Sequence, residues 1–314
     1  MREPAELYEI EPDAGQVTDG LVMLHALDGF VDAGSAAQLL VDHLVSDLDG
    51  RVVARFDVDR LLDYRARRPT MMFATDHWES YEAPELVLRL MRDAGGQEFL
   101  LLTGPEPDRE WDLFVAAVAE LAERFAARLI VGFQGIPMGV PHTRPLGVTA
   151  HGTRSELLER YPSMLGRVQV PGSADALIEL RLGESGFDTA GYAVHVPHYL
   201  AQLDFPSAAL TALDAVVRAT GLSLPGGELE QAAERTRKDI EKQVEESEEV
   251  ASVVRSLEEQ YDAFVRGRES GGLLADGSTP MPTADELGAE FERFLAERDD
   301  KRDPRDPGDP GDGR

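Results

Sequence analysis

Leu21-Val22-Met23-Leu24-His25-Ala26-Leu27-Asp28-Gly29-Phe30-Val31-Asp32-Ala33-Gly34-Ser35 is the stretch whose reading decides the fold. Residues 21–25 form an apolar run of strand length, and Asp28-Gly29 is a turn signal. From Ser35 onward, Ala36, Leu39, Leu40, His43 and Leu44 fall on one face of a helix. A strand that passes through a glycine turn into an amphipathic helix is the repeating unit of α/β proteins.

Working outward, the same alternation continues. Residues 51–56 and 70–74 read as strands. Residues 85–91 and 98–103 flank Asp93-Ala94-Gly95-Gly96 and suggest an antiparallel hairpin. Leu113, Phe114, Ala117, Val118, Leu121 and Phe125 mark a helix over 111–125, followed by the apolar run 129–133. Short strands are expected at 148–150, 167–170 and 189–196, with helices at 155–160, 174–182 and 207–220. Pro206 and Gly221 bracket the last helix as start and stop signals. Apolar strands alternating with amphipathic helices predict a three-layer α/β/α core over residues 1–225 with a mainly parallel mixed sheet. Ligands in such sheets sit beyond the carboxyl ends of the strands.

The character changes after Leu224-Pro225-Gly226-Gly227. Residues 226–298 read as a C-terminal helical extension. It comprises one long helix over 228–265, with no internal Gly or Pro, and a short helix over 286–297 opened by the capping box Thr283-Ala284-Asp285-Glu286. Ile240, Val244, Ser247, Ala251, Val254, Leu257, Tyr261 and Phe264 form its narrow apolar stripe, suited to contact with another helix or domain. Residues 299–314 repeat Pro, Asp and Gly and are expected to be a disordered acidic tail.

Composition limits the chemistry. The chain has 314 residues, a formal net charge of −28 and no cysteine. Of its basic residues only Lys238, Lys242 and Lys301 are lysines, so the first 237 positions work with arginine alone. Thiol nucleophiles, disulfides and cysteine-held metals are excluded, and so are lysine Schiff bases and P-loop lysines in the body of the chain. The charge argues against nucleic acid and anionic lipid as partners. No apolar run long enough for a transmembrane helix occurs, and Met1–Pro12 lacks the apolar centre of a signal peptide, so a cytoplasmic protein is expected.

Several polar residues fall at predicted strand ends. Asp28, Gly29, Asp32 and Gly34 follow the first strand, where glycine admits close backbone approach and a helix start offers free N–H groups. The competing reading is a turn in which Asp32 or Ser35 caps the helix. The pattern is not Gly-x-Gly-x-x-Gly, which gives dinucleotide binding little support. Gly132-Phe133-Gln134-Gly135-Ile136-Pro137-Met138-Gly139-Val140-Pro141-His142-Thr143-Arg144-Pro145 is a stiff, shaped loop that presents His142 and Arg144. Arg144 can fork onto a carboxylate or phosphate of a ligand, or onto one of the chain's own 59 acidic side chains. His151 precedes a helix, and His195 and His198 close the last main strand with a proline between them that disfavours a helical metal pair. No metal and no cofactor is expected. A serine nucleophile is not expected either, because no Gly-x-Ser-x-Gly elbow exists.

Three segments taken together carry a family resemblance: Asp28-Gly29-Phe30-Val31-Asp32-Ala33-Gly34-Ser35, the loop Gly135–Pro145, and His195-Val196-Pro197-His198-Tyr199. They resemble the actinobacterial branch of the proteasome assembly chaperone 2 family over about residues 20 to 265. The resemblance implies an α/β/α core related to purine-nucleoside phosphorylase and peptidyl hydrolase folds. It also implies homo-oligomers and chaperone work linked to the proteasome. The leading expectation is therefore a non-catalytic oligomeric protein acting through protein–protein contacts, with the long C-terminal helix as contact element. The alternative is a small-molecule-binding protein or hydrolase/phosphorylase-like enzyme, in which Asp28, Asp32, His142, Arg144, His151, His195 and His198 line one pocket.

Overall fold

A computed structural model describes residues 3–12, 14, 20–161 and 166–269. In chain order the elements are β1 (Tyr8–Ile10), β2 (Leu21–Asp28), α1 (Ala36–Asp47), β3 (Gly50–Phe56), α2 (Val58–Leu61), β4 (Met71–Ala74), β5 (His77–Tyr81), β6 (Val87–Arg92) and β7 (Glu98–Pro105). They continue with α3 (Trp111–Arg124), β8 (Ala127–Met138), β9 (Val148–Gly152), α4 (Ser155–Leu158), α5 (Ala174–Glu184), β10 (Thr189–Pro197), α6 (Pro206–Thr220), α7 (Gly227–Glu246) and α8 (Glu248–Glu269).

Seven successive residues of β2, Leu21 to Leu27, are buried. A strand covered on both faces is what an unbroken apolar run encodes. Around β2 the sheet assembles in the order β1-β3-β6-β7-β2-β8-β10-β9. Its centre, β7-β2-β8-β10, is parallel, and both flanks are antiparallel. The alternation along β2 feeds two cores. Val22, Leu24 and Ala26 join α1 and α6 on one face, while Met23 joins α3 and α5 on the other. The α/β/α class is as the alternation predicted, and the 85–103 hairpin appears as antiparallel β6–β7. Helix α6 starts with Pro206 in its first turn and ends at Gly221, whose φ of 77° only glycine adopts cheaply.

Four expectations need correction. Residues 70–74 form a strand, β4, but it pairs with β5 in a separate hairpin outside the main sheet. Residues 167–170 form no strand: Val168 and Val170 are exposed between Gly166 and Pro171-Gly172. Helix 155–160 shortens to the single turn α4. The long helix is two helices, broken at Ser247, whose backbone is extended at φ −134° and ψ 109°. The reason lies in the apolar stripe. Leu229 and Ile240 enter the α1/α6 core, whereas Tyr261 and Phe264 pack with Met138 and Val140 beyond the end of β8. A straight rod cannot reach both places, and Ser247 accepts the Val250 N–H at 3.4 Å to start the second helix. The predicted helix 286–297 and tail 299–314 lie outside the described residues. No helix of the described residues is long and apolar enough to cross a membrane.

Candidate functional site

The turn after β2 is built around two carboxylates, the buried Glu106 and the partly buried Asp32. A Cβ at Gly29 would lie 2.5 Å from Glu106 Oε2, so glycine there makes room for Glu106. Glu106 accepts the Ala174 N–H at 2.6 Å and so holds the start of α5. Burial pushes its carboxyl above the ordinary range, against the opposing pull of that hydrogen bond. The Asp28 carbonyl accepts from Glu106 N–H at 2.9 Å and from Arg67 Nη1 at 3.1 Å. Asp32 accepts three backbone N–H groups, from Ala37 (2.9 Å), Gln38 (3.1 Å) and Gly135 (3.0 Å). It thus caps α1 and stitches it to β8. Burial raises the Asp32 pKa, and the three N–H donors oppose that rise. Gly34, at φ 70°, packs against Val196 and Phe205 and exchanges backbone hydrogen bonds with Ala201 and Phe205 at 2.9 Å each. Gly34 is therefore a packing glycine in this arrangement.

The loop after β8 is covered by α8. Arg144 forks onto Asp262 through Nε at 2.9 Å and Nη2 at 2.8 Å, and its Nη1 donates to Glu258 at 3.1 Å. Thr143 donates to the same Glu258, and Tyr261 donates to the Pro145 carbonyl at 3.3 Å. The Asp262 hydrogen bond holds the Arg144 pKa above its already high range. Under this cover His142 meets Tyr199: the tyrosine oxygen accepts the His142 N–H at 2.9 Å and lies 2.6 Å from Nδ1. Burial lowers the His142 pKa and pushes that of Tyr199 up to about 12. His198 stacks edge-on to Tyr199 at 5.5 Å, and burial lowers its pKa too.

The two remaining histidines lie elsewhere. His195 is 1% exposed inside β10, with Nε2 2.7 Å from Thr149 Oγ1. Burial alone lowers its pKa to about 4. His151 is on β9 and pairs through Nδ1 with Glu179 of α5 at 2.8 Å. The nine candidate residues thus divide among separate neighbourhoods. Asp28 and Gly29 adjoin Glu106. Asp32 and Gly34 lock α1. His142, Arg144 and His198 gather around Tyr199 and α8. His195 and His151 each have their own partner. His25 is a buried partner of Asp175, with Nδ1 2.7 Å from Oδ1. A lone polar residue inside a fully apolar strand was the signal for it. A groove of about 630 Å³ runs between α1 and the β6–β7 edge, lined by Asp28, Gln38, Asp42, Glu85, Arg89 and Thr103 among others. Among the described residues no group of three or more His, Cys, Asp or Glu side chains is arranged to hold a metal ion.

Comparison with known proteins adds to this geometry. The model of the PAC2 family matches residues 26–244. The crystal structure of the Mycobacterium tuberculosis unknown function protein Rv2714 is 46% identical, with a TM-score of 0.80, covering 83% of this chain and 92% of that one. A protein of unknown function from Corynebacterium glutamicum is 39% identical at a TM-score of 0.80, covering 82% and 98%. At fold level, the M. tuberculosis proteasome-assembly chaperone homologue Rv2125 is similar with 22% identity and a TM-score of 0.69, covering 74% and 100%. No curated protein matches the chain.

Proposed function

The chain belongs to the PAC2 family, and on that premise we propose that it is a chaperone-like protein that acts through contacts with other proteins, assembling with copies of itself and engaging a proteasome-related partner. The observation that carries this reading is the β4–β5 hairpin. Met71, Met72, Phe73, Trp78 and Tyr81 are 47–63% exposed on it. An isolated two-stranded hairpin is marginal in water, and clustered exposed aromatic and thioether side chains are the composition of a contact surface. Arg65 and Arg68 stand exposed just before it. On a chain of net charge −28 the arm stands out as an exposed apolar patch. Asp32, Arg144 and Nε2 of His195, meanwhile, are already paired within the chain. Helix α8, expected as the contact element, packs on its own chain in this structure.

Light scattering on the full chain tests self-assembly. The expected result is a mass above the monomer that falls toward it in Phe73→Ser/Trp78→Ser. A monomer at every concentration, or a variant with unchanged mass, overturns it. Binding of purified proteasome core subunits, lost in the same variant, tests the partner.

A second reading, small-molecule binding, rests on the 630 Å³ groove beside Asp28. Nucleosides and sugar phosphates are expected to raise the melting temperature if it holds, and Arg89→Ala to abolish the rise.

A further inference from the structure

A pocket of about 420 Å³ opens at the root of the β4–β5 hairpin, between Tyr81, the last residue of β5, and the ends of β1 and β3. Part of its wall is aromatic. Phe56, 5% exposed, lies against Tyr8 with ring centroids 6.1 Å apart, and Tyr64 and Tyr81 add two more rings. The rest of the wall is acidic. Asp57 caps α2 by accepting the Arg60 N–H at 3.3 Å, and Asp59 accepts the Tyr64 hydroxyl at 2.6 Å. Glu6 and Glu9 stand exposed at the same pocket. Arg55 is the one basic residue among its described lining residues, and Glu11 and Glu85 each take its guanidinium at 2.6 Å.

Aromatic faces set beside carboxylates favour a cation. A guanidinium suits both at once, because it stacks flat on a ring while its fork donates to carboxylates. The chain carries such groups on the same arm. Arg65, Arg67 and Arg68 follow Tyr64 directly. Arg67 turns onto its own chain, donating to the Asp28 carbonyl at 3.1 Å and pairing with Asp108 at 3.3 Å. Arg65 and Arg68 are exposed. The first 237 residues contain no lysine, so any basic side chain that the α/β body of another copy offers to this pocket, histidine aside, is an arginine.

We propose that the pocket at the root of the hairpin is a guanidinium receptor that takes the exposed arginines, Arg65 and Arg68, of a second copy of this chain. This rests on the self-assembly proposed above and names the polar contact that accompanies the apolar one. Receptor and donor lie on one arm, so the same patch serves both copies. Two chains of net charge −28 repel, and seating a guanidinium among carboxylates sets opposite charges against each other at the point of contact. A pair enclosed in the pocket is screened by salt less than the long-range repulsion between whole chains.

The test is an exchange of charges between two variants of the full chain, read by sedimentation velocity over a range of concentrations. Arg65→Glu/Arg68→Glu inverts the donor. Glu6→Arg/Glu9→Arg inverts the receptor and leaves the Asp57 cap in place. Each variant alone is expected to assemble only at a concentration at least about tenfold above that of the wild type. An equimolar mixture is expected to assemble near the wild-type concentration, because the arm glutamates of one variant face the pocket arginines of the other while the native halves face each other. Glu6→Gln/Glu9→Gln is expected to weaken assembly several-fold and serves in place of the inverted receptor if that variant does not fold. A wild type that assembles while all these variants assemble equally well overturns the receptor and leaves self-assembly standing. Folded variants that are weakened alone and do not recover on mixing overturn it too, since the charges would then act through the overall field and not as a pair. A wild type that is monomeric at every concentration overturns both readings.

Discussion

His195 and Glu106 are buried titratable groups with opposite consequences for pH. Burial lowers the His195 pKa from its ordinary 6.5 to about 4. The folded state therefore favours the neutral ring. The stability this contributes is complete above about pH 6.5 and is lost as pH falls toward 4. The whole effect is of order 3 kcal/mol, at about 1.4 kcal/mol per pH unit. Urea unfolding between pH 7 and 4 is expected to show that loss in the wild type and a shallower slope in His195→Gln. Equal slopes would remove His195 from the acid response. For Glu106, burial raises the carboxyl pKa, so the native state favours the protonated form. Its contribution is present at acid pH and is lost as pH rises through the raised pKa. The neutral isostere Glu106→Gln keeps an acceptor for Ala174 N–H. Its stability relative to wild type is expected to increase from pH 5 to 8, and a constant difference would contradict the assignment. Asp32 was legible from spacing as one of two candidate caps, with Ser35, because a polar side chain just ahead of a helix answers a local need. His25, Glu106 and Asp175 were not, because their partners lie on elements distant in sequence that only the folded sheet brings alongside.

The clamp formed by α7 and α8 shows what periodicity conveys at the scale of an element and what it omits. The apolar spacing from Ile240 to Phe264 correctly marks a helical stripe, yet no Gly or Pro announces the break at Ser247. The break follows from where the stripe is buried, which is tertiary information. The same limit explains β4. Its strand character is local, but its exclusion from the main sheet depends on pairing with β5. The half of the clamp beyond Ser247 is held by Arg144, through Asp262 and Glu258, together with the apolar contacts of Tyr261 and Phe264. Asp262→Ala is expected to speed amide exchange and protease cleavage across 248–269 several-fold while leaving β2 and β8 protected. Raised salt is expected to act in the same direction on the wild type, because these pairs are partly exposed. Uniform exchange across the chain in the variant would mean that the clamp is part of the global folding unit.

For the whole molecule, charge and fold pull on assembly from opposite sides. A net charge of −28 makes copies repel, and an exposed apolar arm makes them adhere. If the arm joins copies, added salt screens the repulsion first. The average mass measured by light scattering is expected to increase between about 20 and 300 mM NaCl, as the Debye length shrinks from roughly 20 to 6 Å. A mass that falls with salt would assign the contact to ion pairs instead. The class of the fold was legible because alternation of strand and helix is repeated along most of the chain. Of the antiparallel flanks only the β6–β7 hairpin was legible, from its glycine turn; the β1–β3, β3–β6 and β10–β9 pairings were not, because strand direction there depends on how the chain returns.

The scarcity of lysine acquires a practical meaning once the fold is known. Lys238 and Lys242 are exposed on α7, one turn apart along the helix and within reach of Glu234 (3.1 Å) and Glu246 (3.9 Å) respectively. No other side-chain amine occurs in the described residues. Amine-directed fluorophores would therefore find their side-chain addresses in that region on one arm of the Ser247 elbow. The α/β/α body, built on arginine, would stay dark. The molecule thus carries its own labelling positions on α7, from which the docking of that helix can be followed in solution without introducing a single cysteine.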